Sequence, residues 1–335
     1  MTRTEARTPG HPHAPETGVT AAGTSEPALT ARSSRTRQPA APNPPAPPAP
    51  PAPPATLGVI AGEGRLPAMV ARGMHRAGHR VVGLSINGLG DEALQRHCED
   101  VRRVPLLRLG AWVRALRRMG VTHAVMVGRV DKAQHMHDPL RMLRNMPDVR
   151  TALVWYRRLR HDRRSPALLA ALADTLADGG VQLLDSTHFI EDHMADHGAM
   201  TRRAPTPEER SEIEFAWPVL RDVLDLDIGQ SVAVRERDVV AVEAAEGTDR
   251  MIERAGALCK GRRWVLLKGA RRNHDRRADV PTIGQETIRN LHAAGSRCVA
   301  IATGDVIIVD KPDTIALADE LGVAIVGVGA DGKAG

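Results

Sequence analysis

The sequence predicts two α/β domains, the first Rossmann-like, with an active site in the cleft between them. Three observations predict it. From Leu57 to Asp185 short apolar runs alternate with amphipathic helical stretches, the pattern of a mostly parallel sheet covered on both faces. After a polar stretch around 201–210 a β-rich pair of runs appears, followed by more strand–helix alternation. Before Leu57, 14 of the chain's 24 prolines crowd into 56 of its 335 residues, which separates a tail from the folded body.

Residues 1–56 hold five arginines, three glutamates and the run PNPPAPPAPPAPPAT. Proline fixes φ and removes an amide donor, and alanine between prolines cannot build a core, so a disordered tail of polyproline II character is expected. Pro45 and Pro48 have PxxP spacing, although an inert extension is the simpler reading. The tail has no apolar stretch of the kind a secretory signal needs.

The expected first domain is 57–187. LGVIAGEGRLP reads as a strand, a glycine-rich turn and a helix with Leu66, Met69, Val70 and Met74 at helical spacing. VVGLSI is a second buried strand. The stretch LGAWVRALRRMG presents Leu109, Trp112, Val113 and Leu116 on one helical face, and the strand HAVMVG follows it. Residues 165–178 form a helix with Ser165 as N-cap and Pro166 at its first position, and VQLLDS is the next strand.

The second domain is expected over 188–335, with TRRAPTPEER as the linker leading into it. Thr206, Pro207 and Glu209 spell a capping box that opens a helix showing Ile213, Trp217, Leu220 and Leu224 to a core. Pro218 within it predicts a bend or break. SVAVRERDVVAVEA predicts an antiparallel hairpin, and WVLLKG, CVAIAT, DVIIVD and VAIVGVG predict strands, with helices at 285–293 and 312–321.

Composition narrows the function. No run of 18 apolar residues exists, which argues against a membrane-spanning helix. Cys98, Cys259 and Cys298 are odd in number and lack metal-ligand spacing, so a disulfide scaffold or zinc ribbon is not expected. Seven aromatic residues in all give little to stack on bases, and no nucleic-acid partner is expected. These features suggest a reduced, cytoplasmic protein. His188, His193 and His197 lie close together, but HExxH would need Glu where Met194 stands; they read as surface or core histidines, as do His135 and His137. The GxSxG elbow is missing.

Gly58, Gly62 and Gly64 before a helix could cradle a phosphate, because glycine lets the backbone approach and a helix N-terminus favours anions. Their spacing is not the dinucleotide fingerprint GxGxxG, and no acidic residue closes the second strand, which counts against a nicotinamide-dependent oxidoreductase. The stronger signal is a set of three clusters beside predicted strands: DIGQ at 227–230, VEAAEGTD at 242–249 and KGARRNHDRRADVPTIG at 268–284. They supply Asp227, Glu243, Glu246, Asp249, Asp275 and Asp279. Lys268, Arg271, Arg272, Arg276 and Arg277 add five cations in ten residues. Carboxylates beside arginines at glycine-rich turns suit a metal ion and a diphosphate, although many charged runs are only solvated loops. A non-catalytic nucleotide-sugar-binding regulator remains the alternative.

Taken together, IAGEGRLP, VGRV at 127–130, MTRRAP at 200–205, DIGQSV, AVEAAEGTDRMI and D-x-R-x-D-x-PTIG at 275–284 resemble the LpxI family, the UDP-2,3-diacylglucosamine diphosphatases of lipid A biosynthesis. The resemblance covers essentially all of 57–335. It implies Mg²⁺-assisted hydrolysis, with Mn²⁺ as a substitute, giving UMP and 2,3-diacylglucosamine 1-phosphate from a lipid-linked UDP-sugar. It implies Asp279 as the leading catalytic and metal-binding residue, with Asp275 and Lys268 as further catalytic candidates and Glu246 and Asp249 beside the metal. Gly62, Gly64, Arg271, Arg277, Thr248 and Thr282 are the expected substrate contacts. A lipid substrate also implies transient contact with the cytoplasmic face of the inner membrane, and the net charge of +6 is compatible with anionic lipids. A homodimer is compatible with the same reading. The family usually reads K-P-x-Q-D where Arg271-Arg272-Asn273-His274-Asp275 stands here, and Glu63 replaces a frequent glycine.

Overall fold

The computed structural model describes residues 46–129, 147–154, 156, 165–272, 274–277 and 280–333. His135, His137 and Asp279 therefore lie outside the described residues.

The first sheet is built from β1 (Thr56–Ala61), β2 (Arg80–Ile86), β3 (Val101–Val104), β4 (His123–Val127) and β5 (Gln182–Leu183). All its pairings are parallel and its order is β3-β2-β1-β4-β5, the doubly wound arrangement of a Rossmann-like half. β1 sits at the centre and is buried over five of its six residues. The helix Leu66–Arg76 that follows it buries Met69, Val70 and Met74, as their spacing predicts. On the helix Leu109–Arg118, Trp112, Val113 and Leu116 are buried, and the Trp112 indole N–H donates to the Pro105 carbonyl at 2.8 Å. Burying such a side chain stabilises by about 1.5–3 kcal/mol.

The second sheet has the order β6-β13-β11-β9-β7-β8, from β6 (Gly198–Ala199), β7 (Ser231–Arg235), β8 (Asp238–Val242), β9 (Val265–Lys268), β11 (Cys298–Ala302) and β13 (Ala324–Val328). β9, β11 and β13 run parallel, and the β7–β8 hairpin joins antiparallel to β9. Its turn puts Glu236 and Arg237 at φ 53 and 56, the doubly left-handed geometry that matches the twist of paired strands. A parallel ribbon of β10 (Thr282–Ile283) and β12 (Ile307–Ile308) stands apart from both sheets.

Two expectations are corrected. The helix Pro207–Asp225 runs through Pro218 without a break. Pro218 is exposed, so the Glu214 carbonyl that loses its partner faces water, while Ile213, Trp217, Leu220 and Leu224 hold the buried face. The expected strands VQLLDS and DVIIVD shrink to two residues each. β3, with sequence VRRV, carried no apolar signal because Arg102 and Arg103 are exposed on an edge strand. The capping box is present: the Glu209 N–H donates to Thr206 Oγ1, and the Thr206 N–H to the Glu209 carboxylate.

Phe189, Ile190 and Met194 pack into the core of the first sheet together with Ile307 of the ribbon. Val280 and Val309 lean on the same cluster, beside Leu66. The ribbon thus ties the second sheet's connections to the first lobe through apolar contact. No helix among the described residues is long and apolar enough to cross a membrane.

Candidate active site

The three charged clusters of the sequence converge at one edge of the second sheet. β8 and β9 end there and β7 begins there, since Ser231 pairs with Lys268 and Val232 with Val242. The Gly269 N–H donates to the Gln230 carbonyl and the Glu243 N–H to the Ser231 carbonyl. Gly229 is required at this junction: a Cβ there would lie 2.0 Å from the Glu243 carbonyl oxygen. DIGQ therefore serves as the backbone floor on which Glu243 is seated.

On that floor stands a buried chain of polar contacts. Lys268 Nζ donates to Thr248 Oγ1 at 2.6 Å, and Thr248 Oγ1 donates to Glu243 Oε1 at 3.0 Å. Lys268 Nζ lies 3.9 Å from Glu243 Oε2, with 4% and 10% of the two side chains exposed. Thr248 opens the helix Thr248–Cys259, whose N-cap Gly247, at φ 83, supplies no side-chain cap. The first N–H groups of that helix and the Lys268 ammonium thus bring positive charge to one place, as anion binding requires.

The remaining expected carboxylates are engaged in pairs. Glu246 accepts from Arg254 at 2.5 Å and from the Ala244 N–H at 3.1 Å; local backbone N–H donation and the Arg254 guanidinium hold its carboxyl below the usual range. Asp249 accepts from Asn290 across the seam to the helix Gln285–Ala293. Asp275 accepts from the Arg277 N–H at 3.1 Å, from Nε at 2.8 Å and from Nη2 at 2.6 Å. That pairing pushes the Arg277 guanidinium further up its already high range, with burial opposing it.

The loop after β9 reaches the first lobe. Arg276 Nη2 donates to Thr187 Oγ1 at 2.9 Å, and its Nε lies 3.2 Å from Asp185. The Arg276 carbonyl accepts from both the backbone N–H and the hydroxyl of Ser186. Asp185 follows β5, so this contact sits at the carboxyl edge of the first sheet. The sequence pattern does not select Asp185, Ser186 or Thr187; Asp185 and Ser186 close the expected strand VQLLDS, and the acid at a strand end is the available signal. Thr282 lies on β10, half-buried. Arg271 is half-buried and Arg272 exposed, and neither has a carboxylate partner among the described residues.

The glycine turn occupies the same carboxyl edge, after β1. Gly62 owes its identity to packing: a Cβ would come 2.6 Å from the Arg129 carbonyl, because Glu63 and Arg129 form a two-residue backbone bridge. Gly64 differs, with φ +102 and open space where a Cβ would stand. It is the position where another group can approach the backbone. Arg65 and Arg72 both pair with Asp310, which precedes the helix Lys311–Leu321, so the turn is also tied to the second lobe. Of the clustered histidines, His193 Nδ1 accepts from the Lys311 N–H, His188 stacks edge-on against Phe189, and His197 is exposed.

Among the described residues no three His, Cys, Asp or Glu side chains converge as a metal set. Glu246 and Asp249 point to Arg254 and Asn290 respectively, so these two do not by themselves fit a divalent cation.

A doubly wound half and a mixed-sheet half, with basic and glycine-rich turns at facing edges, describe a two-lobed α/β protein suited to a phosphorylated ligand. Residues 56–193 match the LpxI N-terminal domain and residues 196–326 the LpxI C-terminal domain. The chain is 31% identical over 282 residues to the UDP-2,3-diacylglucosamine pyrophosphatase LpxI of Caulobacter vibrioides, covering 81% of this chain and 97% of that one. The chain belongs to the LpxI family.

Proposed function

We propose that this chain hydrolyses the diphosphate of UDP-2,3-diacylglucosamine, releasing UMP and 2,3-diacylglucosamine 1-phosphate for lipid A biosynthesis. The observation that carries it is the meeting of Lys268, Thr248 and an uncapped helix N-terminus in a member of this family. A diphosphate joins two tetrahedral phosphorus centres and is multiply charged, so fixed cations and N–H groups stabilise it and the charge that builds up during attack. In this reading Lys268 and the first turn at Thr248 hold phosphate oxygens, and Arg271 adds charge at the entrance. Gly64 lets the first lobe's backbone approach the ligand, and Thr282 lines the path from the β10–β12 ribbon. Asp275 keeps Arg277 in position, and Asp279 orients a water that bonds to the sugar-side phosphorus as the bond from that phosphorus to the bridging oxygen breaks; UMP leaves with the bridging oxygen, and the proton released from the water passes to solvent. Attack at the phosphorus next to the sugar is favoured by family resemblance. In this reading Mg²⁺ would supply positive charge to the diphosphate, and Asp279 is the residue expected to hold it. The cytoplasm, the inner-membrane face and self-association are its expected setting.

The test is direct. Purified full-length protein is incubated with UDP-2,3-diacylglucosamine in detergent, with Mg²⁺ and with EDTA, and UMP is measured. Metal-dependent release is expected, and Asp279→Asn should lower it by about 10²–10³ while the protein stays folded. Near-normal turnover in that variant removes Asp279 from the chemistry. A folded wild-type protein that binds UMP and releases none overturns the hydrolase reading.

A further inference from the structure

Seven large apolar side chains are exposed among the described residues, and four of them gather at one place: Leu107, Val149, Leu153 and Tyr156, with 42%, 87%, 45% and 64% exposure. The reason is visible in what the neighbouring side chains do. Asp148 accepts from the Gly110 N–H at 2.8 Å and from the Thr151 N–H and hydroxyl at 2.9 and 2.8 Å. Thr151 Oγ1 in turn accepts from the Leu109 N–H at 3.0 Å. The segment is therefore fastened by its polar residues to the start of the helix Leu109–Arg118, two residues from Leu107. Val149, Leu153 and Tyr156, spaced i, i+4, i+7, are exposed at the surface.

Arg150 lies within the segment, and the neighbouring acid, Asp148, is taken up by the Gly110 and Thr151 donors with Arg114 beside it. In sequence the segment goes on to Arg157, Arg158 and Arg160, which lie outside the described residues. Apolar and aromatic residues interleaved with arginine are the composition of a surface that settles into the interface of an anionic bilayer. Its position agrees with that occupant. The loop holding Leu107 follows β3 and the helix it adjoins begins there, so the patch lies at the carboxyl edge of the first sheet, the edge that carries the glycine turn at 62–64. A protein resting on lipid through this patch brings that edge to the bilayer, where the headgroup of a two-chain substrate is presented.

We infer that Leu107, Val149, Leu153 and Tyr156, with Arg150, form the surface by which the chain docks on an anionic lipid bilayer. The inference rests on the lipid-substrate reading for its purpose, but binding to lipid can be measured without substrate. The experiment is vesicle co-sedimentation of the full chain, with phosphatidylcholine alone and with phosphatidylcholine mixed with phosphatidylglycerol, at low and high salt. Wild type should pellet with the anionic vesicles, weaken in salt and leave phosphatidylcholine vesicles largely unbound. The triple variant Val149→Ser, Leu153→Ser, Tyr156→Ser should partition at least about tenfold more weakly. Its thermal unfolding and its release of UMP from detergent-dispersed substrate should match wild type. Equal sedimentation of variant and wild type, or no wild-type binding to anionic vesicles, overturns the docking surface whatever the turnover assay gives. Light scattering that shows wild type as a dimer and the variant as a monomer would overturn it too, reassigning the patch to a second copy of the chain. Loss of UMP release from wild type with vesicle binding intact would instead sink the hydrolase reading alone.

Discussion

Lys268→Met removes a buried ammonium and keeps the length of the side chain, which makes it a sharp perturbation of the second lobe. At 3.9 Å from Glu243 Oε2, and with an effective dielectric of about 20, the pair attraction is about 4 kcal/mol. Screening reduces this little, because at most a tenth of either side chain is exposed. Glu243 Oε2 has no hydrogen-bond partner among the described residues, so the single variant leaves a carboxylate buried without its cation. Breaking a buried pair from one side costs about 3–5 kcal/mol. The double variant Lys268→Met, Glu243→Gln should recover most of that loss, since the glutamine oxygen still accepts from Thr248. Urea unfolding of wild type, both single variants and the double variant gives the coupling, expected above about 2 kcal/mol. Turnover should behave differently: if Lys268 holds a phosphate oxygen, single and double variants both lose about 10²–10³ in rate. A coupling below about 0.5 kcal/mol would refute the electrostatic account of this cluster. A double variant that regains wild-type turnover would show that Lys268 only holds Glu243 and never meets the substrate.

Two further perturbations separate packing from conformation and test the patch's anchor. Gly62→Ala should destabilise by about 2 kcal/mol or more, because its Cβ meets the Arg129 carbonyl at 2.6 Å, whereas Gly64→Ala, with open space but φ +102, should cost about 1 kcal/mol; thermal unfolding ranks them. Asp148 gives a pH dependence: burial alone would raise its carboxyl, but hydrogen bonds from Thr151 and Gly110, with Arg114, outweigh burial and hold it below its ordinary 3.8. A depressed carboxylate stabilises above its unfolded value and loses that contribution as pH falls through the folded one. The advantage of wild type over Asp148→Asn in urea, about 1 kcal/mol near neutral pH, should therefore shrink progressively as the pH falls below 3.8.

What the sequence made legible follows the range of the interactions. The β7–β8 hairpin, the capping box at Thr206 and the buried face of Leu66–Arg76 are set by residues a few positions apart, and each stands where its spacing predicts. β3 escaped notice because exposed arginines mask an edge strand, and Pro218 misled because its missing hydrogen bond falls on the wet side of a helix anchored by its other face. The convergence of 227–230, 242–249 and Lys268 was legible as three clusters beside strand ends, but not the floor made by Gly229 beneath Glu243, which needs the register of β7 against β9.

The same limit applies to the basic loop. Five cations in ten residues read as a basic loop suited to a diphosphate, with Lys268, Arg271 and Arg277 as the expected contacts. In the fold, Lys268 faces Thr248 and Glu243, Arg277 is held by Asp275, and Arg276 crosses to Asp185, a partner 91 positions earlier in the chain. Local charge density gives no sign of that last contact, since it forms only when the two lobes are built. Under the proposed function, the positive charge that meets a diphosphate is Lys268 at the helix N-terminus, with Arg271 and Arg272 on the loop beside it. Arg276 acts instead as a strut that sets where the loop leading to Asp279 leaves the second sheet. If so, the departure at 271–274 from the family's usual residues changes the entrance of the site, while the buried Lys268–Thr248–Glu243 contacts and the strut lie outside that stretch.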